Sequence, residues 1–197
     1  GSRIAYTAAL PPGDNNWWIA KLYVQSAHAD AGASVLVDPA GTDSGSLHGL
    51  QIALPRWSPD GQRIAFIGGL MSDQGATGGD IYAVPAKGGA LVNLTPDTHV
   101  TPSWLDWTGP QSMLVGQISN GRSQLADYAV SATRAQQQRV HFTVAASIGD
   151  GSAAMAMATS RDHRRIAYVQ SSYAAAAEGH AGTLGNTAPG AVTTLNA

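Results

Sequence analysis

The residues best able to do chemistry in this chain are six histidines, His28, His48, His99, His141, His163 and His180. A metal centre built on one element needs imidazoles one turn apart, and no two of these are separated by three or four residues. Surface or turn roles are expected for them. A serine nucleophile of the α/β-hydrolase kind sits in a Gly-x-Ser-x-Gly elbow between a strand and a helix, and that pattern occurs nowhere in the chain. There is no cysteine, hence neither a thiolate nor a disulfide. No Asp-x-Asp-x-Asp loop offers oxygens to calcium. Asp150-Gly151, Asp60-Gly61 and Gly13-Asp14 read as turns. The residues therefore imply no catalytic group, no metal site and no cofactor.

Two other features invite a functional reading. The glycine-rich segment 68–79 superficially suggests a phosphate cradle, but it contains no lysine and joins two strands rather than opening a helix. It reads as a flexible hairpin loop. The functional alternative is that Met71, Ser72 and Asp73 protrude from one face and help line an access cavity, an expectation that rests on loop length and on the family resemblance given below. Tryptophans Trp17, Trp18, Trp57, Trp104 and Trp107 would suit a stacking platform. Trp57 and Trp107 precede equivalent turns, which favours packing between repeats. Trp17 and Trp18 follow the turn-prone Pro11-Pro12-Gly13-Asp14, and as neighbours in a strand they would face opposite ways. One of them is the candidate partner contact.

The elements that must position these residues are strands in a repeat. Trp57-Ser58-Pro59-Asp60-Gly61 is favourable turn chemistry, and Ile64-Ala65-Phe66-Ile67 after it is an apolar strand covered on both faces. Arg3-Ile4-Ala5-Tyr6 and Arg165-Ile166-Ala167-Tyr168 echo Arg63-Ile64-Ala65-Phe66, and Ser112-Met113-Leu114-Val115 is a more worn copy. Aligning Ile4, Ile64, Leu114 and Ile166 places the copies roughly 50 to 60 residues apart, the range of propeller blades built from four-stranded sheets. The run from Pro39 to Gly49 accommodates the longer first interval. One full unit reads as strands at about 51–57, 62–67, 80–85 and 90–95. The fold expected is all-β: a propeller-type array of about four four-stranded blades, part of a larger propeller, spanning 1–197. Its blades fall at about 1–38 (lacking an opening strand), 51–95, 101–145 and 151–195. A generic sandwich also has regularly spaced strands but rarely repeats a sequence pattern. Helix is poorly supported, Ala153–Ala158 and Ala174–Ala177 included.

Composition narrows the partners. The chain has 197 residues, is 44% hydrophobic and carries a net charge of −2, so nothing electrostatic favours nucleic acid or an anionic membrane. No run of 18 apolar residues is present to span a bilayer. The compartment, cytoplasmic or periplasmic, is left open by the residues. The chain begins inside a repeat, so further sequence is expected ahead of Gly1. An incomplete ring exposes sheet faces meant for neighbours, so self-association or marginal stability is expected.

Trp57-Ser58-Pro59-Asp60-Gly61, Asp80-Ile81-Tyr82 and Asn93-Leu94-Thr95 resemble the propeller repeat shared by TolB-type proteins and the S9 (prolyl oligopeptidase) family of serine peptidases. The segment Gly68–Tyr82 is more similar to bacterial S9 propellers of the acylaminoacyl- or dipeptidyl-peptidase type. The resemblance implies a parent protein with a C-terminal α/β-hydrolase domain and a propeller that admits short peptides to it. It also implies seven or eight blades, so the partners expected are further blades, that hydrolase domain and peptides. A TolB-like module for protein–protein interaction is the alternative.

Overall fold

A computed structural model describes residues 1–11, 20–28, 32–71, 77–149 and 155–196. The chain folds into four antiparallel sheets in sequence order. The first contains β1 (Arg3–Ala8), β2 (Lys21–Ser26) and β3 (Ser34–Val37). A short 3-10 segment, Thr42–Leu47, leads to the second sheet, β4 (Gln51–Trp57), β5 (Arg63–Met71), β6 (Thr77–Pro85) and β7 (Val92–Asn93). The third holds β8 (Thr101–Gly109), β9 (Ser112–Ser119), β10 (Arg122–Val130) and β11 (Ala135–Val144). In the fourth, β12 (Ser147–Ile148) and β13 (Met157–Thr159) both pair with β14 (Arg165–Ser172), whose other edge takes β15 (Ala175–Thr183). A bridge from His180 to Ala191 begins a further edge beside β15. The alanines at 175–177 therefore lie in a strand.

In the first three sheets each strand pairs with the next along the chain, and the four sheets stack face to face. Alternation along the second strand of each sheet decides which neighbour a side chain meets. Ile64 and Phe66 pack toward the first sheet with Leu22, Val37 and Leu47. Ala65 and Ile67 face the third sheet with Leu105, Trp107, Met113 and Val115. Leu114, Trp104 and Leu125 face the fourth sheet with Ile166 and Tyr168.

This pattern corrects the alignment of repeats. Trp57 pairs with Ile64, Trp107 with Met113 and Thr159 with Ile166. Met113, not Leu114, is thus the counterpart of Ile64. The turn after Trp107 is one residue shorter than those after Trp57 and Thr159, and a one-residue slip exchanges the two faces of a strand. The corrected frame exposes a second regularity, an aromatic pair across strands. Tyr6 stacks on Tyr23 with centroids 5.6 Å apart, Phe66 on Tyr82 at 5.9 Å, and Tyr168 on His180 at 5.5 Å. The third sheet has Val115 opposite Ala126 at that place.

Candidate functional site: sheet joints and the hairpin rim

The Ser-Pro-Asp-Gly turn is held by its own side chains. Ser58 Oγ donates to Asp60 Oδ1 at 2.6 Å and accepts from the Arg63 amide at 2.9 Å. The Gln62 amide donates to Asp60 Oδ1 at 3.0 Å, and Gly61 takes a φ of 67°. Ser160-Arg161-Asp162-His163 repeats these contacts. Ser160 Oγ donates to Asp162 Oδ1 at 2.6 Å, and the Arg165 and Arg164 amides donate to Ser160 and Asp162 at 2.9 and 3.1 Å. His163 adopts the left-handed φ of 53° that glycine takes in the other copy. Pro59 occupies the exposed corner of the first turn.

Trp57 and Trp107 lie where one sheet meets the next. The Arg3 guanidinium sits 4.8 Å from the Trp57 ring and donates to the Ala86 carbonyl at 3.1 Å. The Arg63 guanidinium sits 5.1 Å from the Trp107 ring and donates to the Ser131 and Pro110 carbonyls at 2.9 and 2.8 Å. Arg3 begins β1 and Arg63 begins β5, and each tryptophan lies on the first strand of the following sheet, Trp57 on β4 and Trp107 on β8. A cation over an indole face gains from the ring quadrupole, and gains more where water is excluded. Trp107 Nε1 also donates back to the Arg56 carbonyl at 3.2 Å, on the first strand of the preceding sheet. Trp57 Nε1 is buried without a hydrogen-bond partner. Among the described residues the first sheet has no strand corresponding to β4, so no carbonyl stands where Arg56 stands for Trp107.

The third and fourth sheets meet differently. Ser112 holds the arginine position and Thr159 the tryptophan position. Here Thr159 Oγ1 donates to Asp106 Oδ2 at 3.2 Å, and His163 Nδ1 lies 4.0 Å from the same oxygen. Arginine and tryptophan are present together or absent together at the three joints.

A carboxylate clasp closes the second and fourth sheets. Asp80 accepts from Asn93 Nδ2 at 2.7 Å and from Thr95 Oγ1 at 3.3 Å, while Thr95 Oγ1 accepts the Ile81 amide at 2.8 Å. In the fourth sheet Glu178 accepts from Thr193 Oγ1, and Thr193 accepts the Gly179 amide at 2.8 Å. Glu178 also accepts the Leu195 and Asn196 amides at 3.2 and 2.7 Å. These donors hold the Glu178 carboxyl below its ordinary value of 4.5, the Thr193 hydroxyl contributing most. The Ser58 and Ser160 hydroxyls, followed by backbone amides, lower Asp60 and Asp162 from 3.8. A carboxyl depressed in the folded state stabilises it above the unfolded value and loses that contribution as pH falls through the folded value. The contribution of these carboxyls to the thermal midpoint is therefore expected to be present at neutral pH and to be lost as pH falls below about 4. Glu178→Gln will flatten the acid limb, as a pH series of melting curves will record. An acid limb identical to the parent's would contradict this.

Neither arginine nor clasp was singled out as functional from sequence, although both leave a signal. Arginine precedes Ile-Ala in three copies, at Arg3, Arg63 and Arg165. Asp80 to Thr95 and Glu178 to Thr193 span the same 15 residues.

The β5–β6, β9–β10 and β14–β15 hairpins share one end of the array. A Cβ on Gly78, in the β5–β6 hairpin, would lie 2.7 Å from Thr101 at the start of β8. Gly121, in the β9–β10 hairpin, and Tyr173, in the β14–β15 hairpin, line one groove of about 580 Å³ with Ser123 and Ser147. Leu70 and Tyr173 stand exposed at these tips. Met71 ends β5 on this rim, whereas Ser72 and Asp73 lie outside the described residues, as do Trp17 and Trp18. The paired strands run further into the glycine-rich segment than a loop would, through Gly69–Gly79 and Met71–Thr77.

Other chemistry is sparse. His141 Nε2 lies 2.9 Å from Asp127 Oδ1, and Arg139 meets Asp127 Oδ2 at 3.4 Å. Tyr128 donates to buried Gln117 at 2.7 Å, and burial pushes its hydroxyl up to about 12. Among the described residues no group of three His, Asp or Glu could hold a metal ion, and no helix is long and apolar enough to cross a membrane.

No protein-family model matches the sequence, and no curated protein matches it. Solved structures do. TolB from Acinetobacter baumannii is similar with a TM-score of 0.57 and 17% identity over 93% of this chain and 38% of that one. A prolyl endopeptidase is similar with a TM-score of 0.56 and 16% identity over 94% of this chain and 26% of its own. A puromycin hydrolase is similar at 0.54 and 15% identity, over 96% of this chain and 28% of its own. The chain spans well under half the length of each. Four stacked antiparallel sheets with these neighbours define a partial β-propeller. That propeller resembles those of TolB and the S9 peptidases.

Proposed function

We propose that this chain is the non-catalytic propeller portion of an S9-type serine peptidase, restricting peptide access to a hydrolase site elsewhere in the protein. The observation that carries the reading is the hairpin rim. It gathers the glycine-rich β5–β6 hairpin, the groove between the third and fourth sheets, and exposed Leu70 and Tyr173 at one end of the array. A rim of that kind, facing a hydrolase domain, admits an extended chain and turns a folded one away. The fold likeness to a prolyl endopeptidase and a puromycin hydrolase supports this setting.

The likeness to TolB favours a second reading, a propeller used as a docking module for other proteins. Labelling with a fluorophosphonate separates the two. The 197-residue chain should take up none. The intact protein encoded by the same reading frame should be labelled once, on a serine in a Gly-x-Ser-x-Gly elbow beyond these residues. A label within these residues, or an intact protein that takes none, would overturn the peptidase reading.

A further inference from the structure

Arg165 begins β14 as Arg63 begins β5, and the face around it repeats the face that the third sheet covers. In the second sheet Arg63 is followed on the same face by Ala65, which pairs across the strand with Ala83. Both alanines are buried by the third sheet, and Trp107 lies over Arg63. In the fourth sheet Arg165 is followed by Ala167, which pairs with Ala181. Here Arg165 and Ala167 are exposed. With Ala181 and Gly182 they line an open cleft of about 410 Å³. The Arg165 backbone is fixed by Ser160, at 2.9 Å, so the guanidinium is launched from the same turn geometry as that of Arg63. Among the described residues the Arg165 side chain makes no hydrogen bond, ion pair or ring contact.

We infer that the Arg165–Ala167–Ala181 face is a docking surface for a further antiparallel sheet whose first strand carries a tryptophan, with a backbone carbonyl just beyond its third strand. Two things select that occupant. Every joint in the chain that has the arginine has the indole, and the joint that lacks the arginine has threonine in the indole's place. The alanines leave a flat, shallow face that admits a closely approaching sheet, and the guanidinium supplies donors for carbonyls. A second copy of this chain fits less well, because Trp57 and Trp107 are already engaged by Arg3 and Arg63. The inference rests on the propeller fold alone, so it stands or falls apart from the peptidase reading.

The test grafts a donor sheet and reads Arg165 with phenylglyoxal and mass mapping. A duplicate of residues 99–145 joined after Asn196 keeps the spacing from Thr193 that the third sheet has from Thr95. A duplicate of residues 49–95, which brings Trp57, guards against one graft failing to fold. In the ungrafted chain Arg165 should react faster than Arg3 and Arg63. In either graft its modification should slow by about tenfold, and changing the grafted tryptophan to threonine should restore most of the rate. Arg165 equally reactive in both grafts and in the ungrafted chain would overturn the inference. So would protection that survives the threonine change, or protection of the ungrafted chain that appears only as it dimerises in sedimentation.

Discussion

Trp107→Ala will lower the unfolding free energy by about 3–5 kcal/mol, the range for truncating a buried tryptophan. The ring is 3% exposed and joins Leu105, Met113 and Val115 to Ala65 and Ile67 of the neighbouring sheet. Removing it opens a cavity between two sheets rather than within one, where neither can close up without moving as a body. It also removes the ring from the Arg63 guanidinium and deletes the bond to the Arg56 carbonyl. Trp107→Phe keeps most of the buried area and loses the indole N–H, so it will cost less, about 1 kcal/mol from that bond. Denaturant titration at constant m-value will measure both. A loss below about 1 kcal/mol for Trp107→Ala would mean that the joint does not hold the sheets together.

Gly79→Ala will cost about 2–3 kcal/mol, by overpacking rather than by a cavity. A Cβ there would lie 2.3 Å from the Gly68 carbonyl oxygen and 2.7 Å from Gly69 Cα. These are backbone atoms of the paired strand and cannot swing aside. Gly69 is constrained from the other side, since its Cβ would meet the Gly78 carbonyl at 2.0 Å. The glycines of this segment thus let two strands approach closely just before the rim. Gly32→Ala is the matched control: nothing lies within 4 Å of its Cβ, so it should stay within about 0.5 kcal/mol of the parent. Equal melting temperatures for the two variants would sink the close-approach explanation.

What was legible in the sequence was local. Ser58, Asp60 and Gly61 announce their turn because the bonds that hold it span at most five residues. The apolar run Ile64–Ile67 announces a strand buried on both faces. The Arg63–Trp107 stack was not legible, because it joins residues in different sheets, and neither residue type is diagnostic alone. The Leu114 misalignment arose because one residue is missing from a turn. Composition barely registers that loss, whereas the strand registers it by exchanging its faces. The Glu178–Thr193 clasp was masked by an alanine-rich setting and by glutamate standing where the second sheet has Asp80. The proposal that Met71, Ser72 and Asp73 line an access cavity rests on loop length and on the family resemblance. The backbone of Met71 lies on the rim, and Trp17 and Trp18 remain candidates on sequence grounds alone.

The central functional claim is steric, and one comparison addresses it most directly. The intact protein of this reading frame should be given a short extended peptide and the same sequence displayed in a surface loop of a stably folded domain. Under a propeller filter kcat/KM is high for the free peptide and negligible for the displayed one, until that domain is unfolded and cut to short lengths. Comparable kcat/KM for both substrates would contradict the account.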